Sequence, residues 1–172
     1  MNRSAKLKLT TAKSSPLVAM PESAWLLLEN QMCFALYSAS LTMTKVYKPL
    51  LNKFGLTYPQ YLVMLVLWEQ DKRSVSALGA RLYLDSGTLT PLLKRLEMLA
   101  FITRSRDATD ERRVIVALTT TGKRLHKQSL TVPQNISCAT ERSLSKLKTL
   151  TRQLGALRAA LLCSAGNTET NK

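Results

Sequence analysis

The stretch DKRSVSALGARLYLDSGTLTPLLKRLEMLAFITRSRDATDERRVIVALT, residues 71–119, constrains the fold more than any other part of the chain. Ser74 or Ser76 caps a short helix bearing Val75, Leu78 and Leu82. After YLDS, a second helix carries Leu89, Leu92, Leu93, Leu96 and Leu99. Their offsets of 3, 4, 7 and 10 residues from the first leucine give one buried stripe. FITRSR and RRVIVAL then alternate or run β-branched, and the turn-rich DATDE between them reads as a hairpin loop. Helix, turn, helix and a two-stranded ribbon make a winged helix-turn-helix, whose second helix enters the DNA major groove. Pro91 leaves the start of that second helix open. Either Thr90 caps it with Pro91 at the first helical position, or it starts at Asp85 or Ser86 and carries Pro91 in its second turn at some cost.

The flanks read as helices. From Gln31 to Lys48, Met32, Phe34, Ala35, Leu36, Leu41, Met43 and Val46 recur near helical spacing, and Pro49 breaks or kinks the segment. Gly55 ends one helix and Thr57 caps the next, which runs through Trp68 and is apolar nearly all round, hence buried. Thr119 caps another helix, interrupted at Pro133. The last one carries Leu144, Leu147, Leu150, Leu154, Leu157 and Leu161 at spacings of three and four, the pattern of a helix that pairs with a partner, here a second copy. The fold class is therefore mainly α with a small β-hairpin wing. Its DNA-binding lobe spans 56–119, and a helical dimerisation region is built from 26–55 and 120–163. Residues 1–25 read as a basic, disordered arm and 165–172 as a frayed tail.

Charge supports this assignment. Lys and Arg number 25 against 11 acids, a net +14, which favours a polyanion, with nucleic acid ahead of membrane. No run is long enough to span a bilayer. At the start of the recognition helix, Asp85, Ser86, Thr88 and Thr90 are short polar side chains that can meet base edges or phosphates. Lys94 and Arg95 lie further along, where phosphates are expected. Arg104, Arg106, Arg112 and Arg113 are basic where a wing crosses the backbone.

Cys33, Cys138 and Cys163 form no CxxC, and His126 is the sole histidine, too few ligands for a metal site. No cofactor is expected. Three cysteines without a signal peptide indicate a reducing cytosol, where thiols are inert, catalytic or sensory. With Asn30 as cap, Gln31, Met32 and Cys33 occupy the first helical positions. The positive end of the helix dipole favours a thiolate there. Cys33 is thus either a packed small hydrophobe or a thiol kept ready to react.

LENQMCFALYSAS, MTKVYKPLLNKFGLTYPQYLVMLVLWE, LYLDSGTLTPLLKRLE and DERRVIVALT resemble the MarR family, specifically its two-cysteine organic hydroperoxide-sensing repressors (the OhrR type). The likeness runs from about Leu28 to Thr119 and more loosely beyond; residues 1–25 lie outside it. It implies a cytoplasmic homodimer that represses from a pseudo-palindromic operator and is not an enzyme. Cys33 is then the peroxidatic sensor, Tyr47 and Tyr58 hydrogen-bond its thiolate across the dimer interface, and Cys138 resolves the oxidised sensor. The resemblance leaves open whether that disulfide lies within or between subunits. It also places Arg112 in the minor groove, braced by Asp110. Organic hydroperoxides act as inducers and cellular thiols as reductant. Two alternatives compete with this reading. One is a MarR-type regulator released by a small phenolic or anionic ligand, with Cys33 a bystander; the other is a thiol peroxidase, against which the charge and the wing argue.

Overall fold

A computed structural model describes residues 21–169, so most of the expected basic arm lies outside the described residues. The chain divides after Leu41 into two compact units. The first holds two short 3-10 turns, Glu22–Leu26 and Leu28–Asn30, and the opening of helix α1 (Met32–Asn52). Its apolar side chains stay at the surface, Leu26 89% and Leu28 60% exposed.

The second unit contains the rest of α1, then α2 (Tyr58–Glu69), β1 (Arg73–Ser74), α3 (Val75–Leu82), α4 (Ser86–Met98), β2 (Ile102–Arg106), β3 (Val114–Leu118), α5 (Thr120–Ser129), α6 (Thr131–Ala139) and α7 (Leu144–Glu169). β3 lies between β1 and β2, antiparallel to both, with Arg104 opposite Val116 on one side and Arg73 opposite Val116 on the other. The core gathers Met64 and Leu67 of α2, Leu78 of α3, Leu89, Leu93 and Leu96 of α4, Ile102 and Val116 of the wing, and Leu51 and Val132 at its ends. The leucine stripe of α4 is what docks that helix on the rest of the lobe.

Local signals decide most boundaries. Gly55 at φ +68° lets the chain turn back after α1, and the Leu56 N–H donates to the Leu51 carbonyl (3.2 Å). Thr57 and Gln60 form a capping box, with the Thr57 N–H donating to Gln60 Oε1 (2.9 Å). Ser74, rather than Ser76, caps α3, and Thr119 caps α5. Asp85 caps α4, which places Pro91 inside the second turn and settles the open start of that helix.

Five expectations shift. α1 runs through Pro49 to Asn52, because removing one N–H and crowding one carbonyl costs less than breaking a helix that packs on both sides of that point. Asn30 does not cap α1: its Nδ2 donates back to the Ala24 carbonyl (2.9 Å) and it closes the second 3-10 turn. Cys33 is therefore the second residue of the helix, still within its first turn. The break after α5 falls at Leu130, not Pro133; the proline sits in the first turn of α6, where a missing N–H leaves no bond unmade. α7 continues to Glu169, through the start of the stretch read as a tail. The two-residue strand β1, too short to show periodicity, makes the ribbon three-stranded.

Candidate functional site

The helix-turn-helix and the wing supply one group of side chains. Asp85, Ser86 and Thr88 stand exposed at the start of α4, while Thr90 is half-buried. Asp85 accepts from the Thr88 N–H through Oδ1 (2.9 Å) and from the Thr88 hydroxyl through Oδ2 (2.8 Å). These two bonds hold its carboxyl below the usual range and spend both oxygens on shaping the helix start. Thr90 donates its hydroxyl to the Ser86 carbonyl (2.6 Å). Ser86 therefore keeps the least committed side chain of the four. Lys94 and Arg95 are exposed on the outer face of α4.

Arg104 is not a free wing cation. Its Nε (2.9 Å) and Nη2 (2.6 Å) both donate to Glu97 Oε2, and its N–H donates to Glu97 Oε1 (3.2 Å). The guanidinium holds the Glu97 carboxyl below its ordinary range. This half-buried pair ties β2 to the end of α4. Arg106 reaches only the Glu111 carbonyl (3.3 Å). At the wing tip, Asp110 Oδ1 accepts from the Arg112 N–H (3.1 Å) and its carbonyl accepts from the Arg113 N–H (2.9 Å), so the bend that presents Arg112 is built by Asp110. Arg113 lies 3.8 Å from Asp107, leaving the exposed Arg112 as the wing cation with no hydrogen-bond or ion-pair partner for its side chain among the described residues.

A second group is aromatic. Tyr47 and Tyr58 stack with centroids 4.6 Å apart, and Tyr61 sits 6.0 Å from Tyr47 and 6.1 Å, edge-on, from Trp68. Trp68 donates to the Gly122 carbonyl (3.0 Å) and lies against His126. Burial pushes the Tyr47 phenol up to about 12, with the neighbouring Tyr58 and Tyr61 adding to the shift, and burial raises Tyr58 and Tyr61 as well. All three stay protonated, as O–H donors, at neutral pH. Neither the Tyr47 nor the Tyr58 hydroxyl finds an acceptor among the described residues, and neither is sealed from the surface. Sequence reasoning singled out Tyr47 and Tyr58 but passed over Tyr61, although its position three residues on from Tyr58 along α2 put it on the same face.

The cysteines are free and exposed: Cys33 in the first turn of α1, Cys138 in the last turn of α6, and Cys163 on α7. Among the described residues no group of His, Cys, Asp or Glu side chains could hold a metal, and no helix is long and apolar enough to cross a membrane.

Comparison with known proteins agrees with the winged-helix fold. The family profile of the transcriptional regulators SarA/Rot matches residues 45–129. An organic hydroperoxide resistance transcriptional regulator of Bacillus subtilis is 48% identical over 134 residues, covering 78% of this chain and 91% of that one. The HTH-type transcriptional regulator TtmR of Methylorubrum extorquens is 45% identical over 142 residues, 83% of this chain and 73% of that one. Among solved structures, reduced AbfR bound to DNA superposes with a TM-score of 0.69 at 34% identity, covering 81% of this chain and 97% of that one. AbfR, from Staphylococcus epidermidis, has also been solved with its disulfide formed. That form superposes less closely: TM-score 0.57 at 33% identity, covering 79% of this chain and 96% of that one.

Proposed function

Because the chain belongs to the MarR-type transcriptional regulators, alongside the organic hydroperoxide resistance regulators, we propose that it represses transcription as a homodimer and releases its operator when an organic hydroperoxide oxidises Cys33. The observation that carries this reading is the place of Cys33: a free, exposed thiol in the first turn of a helix. A helix start is a place where negative charge is favoured, and the thiolate is the form of a cysteine that attacks peroxide. It attacks one peroxide oxygen. The O–O bond breaks, a sulfenic acid forms on Cys33, and the other oxygen leaves as an alcohol after taking a proton. The exposed apolar side chains of Met32, Phe34 and Leu36 suit a hydroperoxide with an organic tail. The partner subunit's Tyr47 and Tyr58 supply O–H donors to the thiolate; their retained protons and free hydroxyls support that role.

Cys138 then condenses with the sulfenic acid, releasing water and forming a disulfide, which requires Cα atoms within about 7 Å. Closing that bond respaces the two recognition helices, and a cellular thiol reverses it. On DNA, Ser86 and Thr88 meet the major groove, Lys94, Arg95, Arg106 and Arg113 bind phosphates, and Arg112 enters the minor groove, whose negative potential attracts it. Asp85, Thr90, Arg104 and Asp110 hold these groups in place rather than touching DNA. Two half-sites about 34 Å apart fit a twofold pair of such lobes. The site of action is the cytoplasm.

A gel shift tests the proposal, using the promoter fragment upstream of the chain's own gene, before and after cumene hydroperoxide. Wild type binds and lets go after peroxide; Cys33→Ser binds and ignores it. Cys138→Ser loses the peroxide-induced disulfide seen on a non-reducing gel. Wild-type binding that ignored peroxide would end the redox mechanism.

A further inference from the structure

α7 is exposed along nearly its whole described length; only Leu147, Gly155 and Leu157 are half-buried. Beside the latter two stands Arg158, whose guanidinium carbon lies 4.5 Å from the centre of the Tyr83 ring. Tyr83 occupies an unusual position. It is the C-cap of α3, at φ +57° in the left-handed region that non-glycine residues seldom adopt, and its N–H donates to the Gly79 carbonyl. The following residues leave no slack. The Leu84 N–H also donates to Gly79 (3.0 Å), and a side-chain carbon added at Gly79 would come 2.8 Å from the Leu84 carbonyl. Asp85 is next, and it caps the DNA-reading helix α4.

We infer that Arg158 is a positioning residue for DNA recognition: by gripping the Tyr83 ring it fixes the turn of the helix-turn-helix, and with it the start of α4, from the C-terminal helix 75 residues away in sequence. A cation over an aromatic face is attracted by the ring's quadrupole. Held at a turn this tight, the Tyr83 backbone cannot shift without carrying Asp85 and α4 along. The helix that bears Arg158 also bears the leucine stripe proposed to pair with a second copy, so a change in the spacing of two copies would reach the start of α4 through this contact. This inference rests on the chain binding DNA, not on its response to peroxide.

The test uses the full chain under reducing conditions and a duplex recovered by in vitro selection with the wild-type protein, against a scrambled duplex of equal length. Recovery of a wild-type-preferred duplex establishes DNA reading on its own; failure to recover one removes both that reading and this inference. Arg158→Ala and Tyr83→Leu each weaken binding to the selected duplex about two- to five-fold per chain, the scale of an exposed cation–π contact. Binding to the scrambled duplex is unchanged, and the thermal midpoint falls by no more than about 4 °C. The double variant is no worse than either single one, because both remove the same interaction. Tyr83→Phe and Arg158→Lys restore most of the affinity, since ring and cation are kept. Additive losses, or selected-duplex affinity unmoved by Arg158→Ala, overturn the inference. So does an equal loss on both duplexes with a shallower salt dependence, which would instead make Arg158 a phosphate contact.

Discussion

The stretch between Leu51 and Val132 differs from the helices on either side of it. From Leu51 to Val132 lie all the large side chains sealed completely from solvent among the described residues, among them Leu89, Leu93 and Leu96 of α4, Met64 and Leu67 of α2, Leu78 of α3, and Ile102 and Val116 of the wing. Outside it the same residue types stand at the surface, as with Met32, Phe34 and Leu41 toward the amino end and Leu144, Leu154 and Leu161 toward the carboxyl end. The lobe is a closed fold whose leucines have each other. The flanking helices carry apolar stripes of equal regularity, and many of these side chains stand exposed among the described residues, the surface character of a segment completed by a partner. Under the proposed mechanism the lobe holds its shape while the helices that space two copies respond to chemistry.

The largest effect separates the two regions by stability. Leu93→Ala removes a sealed side chain from the α4 stripe and costs about 2–5 kcal/mol. Urea unfolding followed at two protein concentrations gives the same loss at both, because the contact is internal to one lobe. A loss that shrinks as the protein is concentrated would mean that the lobe depends on a partner after all.

A smaller effect is expected where β2 meets α4. Arg104→Ala frees Glu97 and destabilises the lobe by about 1 kcal/mol, since the pair is only half-buried and water screens it. The pH dependence has a defined sign. The Arg104 hydrogen bonds lower the folded-state value of Glu97 below its ordinary 4.5, so this contribution is present above pH 4.5 and fades as the pH falls below it. Acid unfolding of wild type is steeper through that range than that of Arg104→Ala. Equal slopes would show the pair to be a surface contact of no consequence.

The aromatic cluster is tested at the other end of the pH scale. Tyr47 is raised from 10 to about 12 when folded, so the folded chain holds the proton more tightly than the unfolded one. Its contribution is complete below pH 10 and is lost as the pH climbs from there toward 12. Tyrosinate absorbance titrated in folded wild type should therefore lag that of the chain in denaturant, and Tyr47→Phe should remove the most delayed component. A phenol that titrates normally would leave Tyr47 without the burial that the ring stack implies.

How far the sequence disclosed all this follows the same division. The α4 stripe, the capping serine and threonines and the Gly55 turn were legible, because each depends on spacing or backbone chemistry within a few residues. The end of α1 and the start of α6 were not: Pro49 read as a break or a kink and Pro133 as an interruption, yet packing carries a helix past the first, and the second lies where a missing N–H is harmless. Side-chain roles were harder still. Arg104 and Arg112 look alike in sequence, and only the fold shows that one is bound to Glu97, 7 residues earlier, while the other is bent outward by Asp110. Tyr83 gave no signal, since nothing local reveals a left-handed helix cap whose ring meets an arginine from the far end of the chain.

The smallest effect on stability carries the sharpest test of the comparison. Leu154 lies exposed on α7, on the stripe repeated by Leu147, Leu150 and Leu161. Replacing it by Arg removes no buried contact within the chain, so the urea midpoint of dilute protein should move by less than about 0.5 kcal/mol in free energy. If the stripe meets a second copy, the same change places a charge in an apolar interface, and sedimentation velocity should shift the boundary from twice the chain mass toward the single chain mass of 19.2 kDa. A stable lobe that no longer pairs would confirm that the two regions are built for different tasks. An unchanged dimer would mean that the apolar stripe of α7 is not the surface on which the copies meet.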